Sequence, residues 1–194
     1  MNKKLIIISI ALLLFALSGG EAFAQRRAAR AAAHAAQRSG ATSIYTPLGG
    51  RSCTRVRRTS PVSSEWTCRG VAGYRLLVSN DDERESITIL APDGQQYALE
   101  YHQVVCRGAF CYLGKQAEWR VVRRGRKVVP IGLIARVDVQ GQDMKKTSYL
   151  VVAKITHRGI CVTDRIAPVA RANERARRVA DDPDGTPCLQ YTVQ

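Results

Sequence analysis

The sequence lacks every compact motif that would identify a reaction. It contains no Gly-x-Ser-x-Gly nucleophile elbow, no His-Glu-x-x-His zinc motif and no phosphate-binding glycine loop. Histidine is scarce: His34, His102 and His157 are the three in the chain. We therefore assign no catalytic residue and predict a protein that is not an enzyme. A hydrolase whose site assembles from scattered residues, such as His102, His157 and Asp138, stays open as an alternative.

The six cysteines lack the paired spacing of a metal or redox site. No Cys-x-x-Cys unit is present, which argues against zinc and against a redox-active pair. An even number of cysteines favours a disulfide framework if the chain is exported. Sequence proximity favours Cys53–Cys68, Cys106–Cys111 and Cys161–Cys188. The middle bridge would close a hairpin, and the last would tie a C-terminal helix to the sheet.

We predict no cofactor and no metal ligand. Asp81-Asp82-Glu83, followed by Glu85, would suit a hard cation such as Ca²⁺ in its residue types. The segment lacks the spacing and the glycine of an EF-hand loop. An exposed acidic turn is therefore the favoured interpretation.

Long apolar runs are confined to the start of the chain. Leu5 to Leu17 is almost unbroken, follows Lys3 and Lys4, and is followed by Ala22-Phe23-Ala24, the pattern of a signal-peptidase site. The run is shorter than the about 20 residues that cross a bilayer. We predict a signal peptide over 1–24, with an uncleaved anchor as the alternative. The mature chain is then periplasmic or secreted, where disulfides persist, and has no transmembrane segment.

Negative charge is also scarce. The chain has 30 lysines and arginines against 16 acidic residues, a net charge of +14. Because residues 1–24 hold two lysines and one glutamate, the chain after them keeps +13 of this total. Guanidinium groups fork onto phosphate and carboxylate, so an exported protein of this charge favours an anionic envelope component or an acidic protein over a specific nucleic acid. The alternative is a solvated surface that only keeps the protein soluble. The candidate anion-binding residues lie in three groups: Arg55, Arg57, Arg58; Arg120, Arg123, Arg124, Arg126, Lys127; and Arg171, Arg175, Arg178.

Composition and periodicity divide the rest of the chain. Residues 25–37 are rich in alanine and arginine and have no large apolar side chain, and residues 39–50 add glycine, serine, threonine and proline, which predicts a flexible basic arm and linker over 25–50. Apolar residues then alternate with polar ones from about residue 51, including a strand through 97–102 and another that reaches His157. The period changes to that of a helix at about 168–180, with Pro168 in its first turn. We therefore predict a mainly β domain over 51–194: an antiparallel sandwich or barrel with one C-terminal helix, stapled by disulfides.

Both tryptophans precede predicted strands. Trp66 lies close to Cys68, and tryptophan beside a disulfide is typical of core packing. Trp119 follows Glu118 in a similar setting. A surface platform for a ligand is the alternative.

Three segments carry a resemblance. They are Trp66–Tyr74 with Asp82–Ser86, Ala117–Arg120 with Pro130–Arg136, and Ala172–Asp181. Together they resemble an uncharacterised family of small exported proteins of alphaproteobacteria. The resemblance covers residues 51–190, implies export and transfers no activity. Asp93–Leu99 is similar to a segment of the periplasmic lysozyme inhibitors, but a cationic lysozyme would be repelled by a chain of this charge.

These observations predict an exported, basic, non-enzymatic envelope protein. Its arginine clusters would bind an anionic surface or an acidic partner. The alternatives are an inhibitor of a cell-wall-degrading enzyme and an envelope hydrolase.

Overall fold

A computed structural model describes residues 40–190, apart from the side chains of residues 57–59. The predicted signal peptide at 1–24 and the arm over 25–39 lie outside the described residues. The elements are β1 (Thr42–Pro47), β2 (Cys53–Ser60), β3 (Ser63–Arg69), β4 (Arg75–Asp81), β5 (Arg84–Leu90), β6 (Gln96–Ala98), α1 (Tyr101–Val104), β7 (Phe110–Arg124), β8 (Lys127–Gln140), β9 (Lys146–Thr156), β10 (Gly159–Ile166) and α2 (Ala172–Ala180). The mainly β fold with a C-terminal helix is confirmed.

The strands form one mixed sheet of ten. Its main path runs β10-β9-β8-β7-β5-β4-β3-β2, while β1 pairs with β7 and β6 pairs with β5. Every pairing is antiparallel except a single parallel bridge between Arg84 of β5 and Cys111 of β7. This bridge joins two antiparallel halves, β2–β6 and β7–β10.

One hydrophobic core joins the two halves of the sheet. Leu76 and Ile89 from the first half, and Trp119, Leu133 and Val151 from the second, belong to one cluster and are almost fully buried. Trp119 donates its indole N–H to the Thr46 hydroxyl at 2.8 Å. The interpretation of Trp119 as a core residue is therefore correct, and its one polar atom is satisfied inside the core.

Helix α2 covers the other face of β8 and β9. Ala176 and Ala180 are buried with Ile134, Leu150 and nearby aliphatic residues. A Cβ atom on Gly132 of β8 would lie 3.0 Å from the Cβ atom and the carbonyl oxygen of Ala180. The helix thus approaches the sheet closely because small residues meet on both sides.

Three predicted boundaries are corrected by the structure. The linker over 25–50 is not irregular throughout, because residues 42–47 form β1, where Ile44 packs against the core. The helix begins at Ala172 and not at Pro168, because Arg171 has a left-handed φ of 61°. The predicted strand through 97–102 ends at Ala98, since Glu100 has a φ of 49° and turns the chain into α1.

The cysteines pair as sequence proximity favoured. Cys53–Cys68 joins neighbouring strands β2 and β3, and Cys161–Cys188 ties the segment after α2 to β10. Cys106–Cys111 does not close a hairpin as predicted, because it joins the end of α1 to β7. No described cysteine is free.

Candidate anion-binding surface

The end of the β7–β8 hairpin carries four cationic side chains, Arg123, Arg124, Arg126 and Lys127, which we call the basic hairpin tip. All four are exposed. None of them forms an ion pair with an acidic group in the described part of the chain, residues 40–190. Their guanidinium and ammonium groups are therefore available to an external anion.

The hairpin is held below its tip by ordinary strand pairing. Val122 lies opposite Val129, and Arg124 lies opposite Lys127. Gly125 has a φ of 62°, a left-handed conformation that glycine adopts at little cost in a tight turn. Like charges directly opposite each other destabilise a strand pair. The tip charge therefore does not serve the stability of the hairpin.

Arg120 belongs to the same predicted group, but the structure buries it. Its side chain is 8% exposed, and its Nε and Nη2 atoms donate to the two carboxylate oxygens of Asp181 at 2.7 and 2.8 Å. It also donates to the Ser43 hydroxyl and to the carbonyl oxygen of Ala41 at 3.0 Å. The prediction that Arg120 binds an external anion is wrong. Its donors are occupied by Asp181, the residue after α2, and by Ser43 of β1.

A second buried carboxylate extends this network. Arg177 of α2 donates from Nε to Glu118 of β7 at 2.6 Å and from Nη2 to the Tyr45 hydroxyl at 2.9 Å. Ser43 donates its hydroxyl to the same Glu118 oxygen at 2.5 Å. Burial raises the pKa of Glu118, but the hydrogen bonds from Arg177 and Ser43 outweigh burial and leave the pKa lowered. The network joins β1, β7 and α2 by charge as well as by packing.

The third group lies on α2, and its charge is partly offset. Arg171 and Arg178 are exposed, with guanidinium atoms 3.8 and 4.0 Å from the Glu174 carboxylate. Arg175 is also exposed and acts electrostatically to lower the pKa of Asp164, against the larger effect of burial, which raises it. These arginines are accessible, but they share their surroundings with acidic groups.

The first group is described only in part. Arg55 lies on β2 with its guanidinium carbon 5.6 Å from the centre of the Trp66 ring. Arg57 and Arg58 lie in the same strand, and their side chains are outside the described residues. Among the described side chains of the three groups, those of the hairpin tip include the most cations without an ion pair.

The structure separates His157 and Asp138, two of the three residues named for the alternative hydrolase. His157 does not lie in a strand as predicted, but in the turn between β9 and β10, whereas Asp138 of β8 pairs with Ser148 near the other end of β9. The nine steps along the chain from Ser148 to His157 span about 30 Å at the rise of a strand. His102 lies in α1 and not in a strand. His157 and Asp138 therefore cannot act on one substrate atom.

The acidic turn is held by protein partners. Asp82 accepts from Arg84 at 2.8 Å, Glu83 accepts from the Tyr112 hydroxyl at 2.7 Å, and Glu85 accepts from the Leu113 backbone N–H at 2.6 Å. Within residues 40–190 no three or more His, Cys, Asp or Glu residues are grouped as metal ligands would be.

Residues 40–190 include no helix long and apolar enough to cross a membrane.

Sequence reasoning missed the acidic half of the buried network. Glu118 lies between Ala117 and Trp119, so the alternating pattern predicts that its side chain faces solvent. The available signal was the small-residue face of the helix, Ala176 and Ala180, together with Gly132 in β8. Small residues on both elements indicate that the helix lies on that face of the sheet.

Comparisons with family models, curated proteins and solved structures found no match to this chain.

Proposed function

We propose that this chain is an exported, non-enzymatic envelope protein that binds an anionic surface through the basic hairpin tip. The observation that carries the proposal is the concentration, at the end of one hairpin, of four exposed cations that form no ion pair within residues 40–190. The pattern at residues 1–24 and the three disulfides support an oxidising, non-cytoplasmic location.

The tip suits a surface of many anions better than a single buried ligand. A projecting hairpin has no walls, so it cannot enclose a small molecule, whereas phosphates in a plane can meet several side chains at once. A cation close to an anionic lipid surface contributes about 1 kcal/mol at moderate ionic strength. Four such groups give useful affinity without a pocket, and this affinity falls as salt screens the charges.

The test compares two variants that remove the same charge. Arg123→Gln/Arg124→Gln/Arg126→Gln removes three of the four tip cations, and Arg171→Gln/Arg175→Gln/Arg178→Gln is the matched control at α2. Binding of the chain from Gln25 onward is measured on phosphatidylglycerol-containing vesicles and on pure phosphatidylcholine vesicles, at low and physiological salt. The tip variant should lose about 100-fold in affinity, the equivalent of about 3 kcal/mol, and the control less than about tenfold.

Two results would contradict the proposal. Equal losses in both variants would show that net charge alone drives binding, without a site. An absence of salt-sensitive binding to the anionic vesicles would show that the tip cations are only solvated.

A further inference from the structure

The inner face of β2–β5 changes from apolar to mixed along its length. Cys68 lies opposite Leu76, and both are fully buried in the core. Two residues earlier on β3, Trp66 lies opposite Val78 and is half-buried. Because side chains alternate along a strand, Trp66 and Cys68 share a face. The core therefore opens at Trp66 into a groove of about 750 Å³.

The groove exists because β5 and β7 diverge. They share one bridge, and beyond it the side chain of Glu85 accepts the Leu113 N–H in place of a strand partner. The loop after β1 forms the remaining wall, where the Leu48 N–H donates to the Lys115 carbonyl oxygen at 3.0 Å. The opening is thus built into the topology and does not depend on side-chain rotamers alone.

The floor of the groove is apolar and one wall is aromatic. Leu48, Val78 and Leu113 line it together with Trp66. The volume falls within the range of about 300–1,000 Å³ that is typical of small-molecule sites, and such sites often lie at the mouths of β-barrels and similar cores. An apolar chain or ring placed there would be removed from water on several sides.

The rim of the groove carries a positive excess. Arg55 and Lys115 are exposed, and neither forms an ion pair with a carboxylate of residues 40–190. Glu85, the acidic residue of the lining, is engaged by the Leu113 N–H and by the Asn80 side-chain amide at 3.4 Å. Among the described side chains that line the groove, the two cations and one carboxylate leave a single positive charge, which matches a ligand with one negative charge.

We propose that this groove binds a small amphiphile with an apolar body and one anionic head group. The body packs on Trp66, Val78 and Leu113, and the head lies between Arg55 and Lys115. The site is separate from the basic hairpin tip and does not depend on binding of the tip to a surface.

Dodecanoate is the probe, titrated below its micelle concentration by calorimetry and by tryptophan fluorescence. Dodecyltrimethylammonium carries the same chain with the opposite head charge, and acetate carries the carboxylate without the chain. Dodecanoate should bind at one site and at least about tenfold more tightly than dodecyltrimethylammonium, while acetate should show no saturable binding. Arg55→Gln and Lys115→Gln should each weaken dodecanoate about fivefold, the value of an exposed ion pair.

Arg75→Gln is the matched control, because Arg75 is an exposed strand arginine that does not line the groove. It should bind dodecanoate as the unchanged protein does, and so should the triple variant of the hairpin tip. Trp66→Phe should abolish the fluorescence response while calorimetric binding persists, since Trp119 is fully buried elsewhere in the core. The proposal is overturned if both head groups bind equally, if Arg75→Gln weakens binding as much as Arg55→Gln, or if no saturable binding occurs.

Discussion

At the scale of single residues, two arginines of β7 have opposite roles. Arg120 is enclosed by Asp181 and by Ser43 of β1, whereas Arg123, three residues further along the strand, is exposed at the tip. The difference arises because α2 ends above Arg120 and the hairpin continues past it. The sequence shows two arginines three residues apart and does not show which of them is buried. Arg120 was therefore predicted to bind anions together with Arg123.

Removal of the Arg120 side chain should be severely destabilising. In Arg120→Ala the Asp181 carboxylate, whose side chain is 9% exposed, loses its bidentate partner. Breaking a buried ion pair by removing one partner costs about 3–5 kcal/mol, because the other charge stays desolvated. Urea unfolding measures this loss, with Arg123→Ala as the exposed control, for which we expect a change below about 0.5 kcal/mol. Equal values for the two variants would contradict the assigned roles.

The Glu118 carboxylate should make stability depend on pH at the acidic end. Its pKa is lowered from the ordinary value of 4.5 by Arg177 and Ser43 despite burial. A group whose pKa is depressed by folding contributes its full stability above its unfolded pKa and loses it as the pH falls through the folded value. The difference in unfolding free energy between the unchanged protein and Glu118→Gln should therefore be constant at neutral pH and shrink below about pH 4.5. Denaturant unfolding at a series of pH values tests this, and a difference that grows on acidification would refute it.

At the scale of elements, alternation predicts the long strands well and the short ones poorly. β8 belongs to the alternating pattern that begins at about residue 51, because Leu133, Ala135 and Val137 share one face and Arg136 and Asp138 the other. β1 was not predicted, because its six residues follow an alanine- and glycine-rich stretch and it is stabilised by pairing with β7, a distant partner. The sequence predicts the basic hairpin tip as a group of cations. It does not predict that these cations lack ion pairs, because that depends on where α2 and its acidic residues lie in the fold. The groove depends on the divergence of two strands, which no local pattern encodes.

The docking of α2 on β8 should depend on Gly132. In Gly132→Ala the new Cβ would lie 3.0 Å from the Cβ atom and backbone oxygen of Ala180, so the helix must move away. Overpacking of this kind costs about 1–3 kcal/mol. Because the Arg120–Asp181 pair lies at the same end of α2, the shift should also weaken that pair.

Thermal and urea unfolding of Gly132→Ala measure the effect. Gly49→Ala is the matched control, because a Cβ atom at Gly49 has no neighbour within 4 Å and its φ of −172° is extended. We expect the control to change stability by less than about 0.5 kcal/mol. A Gly132→Ala variant as stable as the control would show that the helix is not closely packed on β8.

At the scale of the whole molecule, charge is distributed unequally between the body and the tip. In the body, Asp181 compensates the buried Arg120, Glu118 compensates the partly exposed Arg177, and Glu174 partly offsets Arg171 and Arg178. At the tip, Arg124 directly faces Lys127, and no acidic side chain of residues 40–190 forms an ion pair with either. This arrangement does not contribute to the stability of the fold, and it suits the surface-binding role that we propose.

The tip should therefore weaken the fold at low salt and do so less at high salt. The Debye length falls from about 30 Å at 0.01 M to about 3 Å at 1 M, so repulsion among exposed tip cations is screened while the buried Arg120–Asp181 pair is little affected. The variant Arg123→Gln/Arg124→Gln/Arg126→Gln should be more stable than the unchanged protein at low salt, by about 0.2–1 kcal/mol for the relieved Arg124–Lys127 pair alone. At about 1 M salt the two proteins should unfold at the same urea concentration. If the variant is instead less stable at low salt, the tip cations have stabilising partners, and neither the repulsion nor the availability of the tip for an external anion would hold.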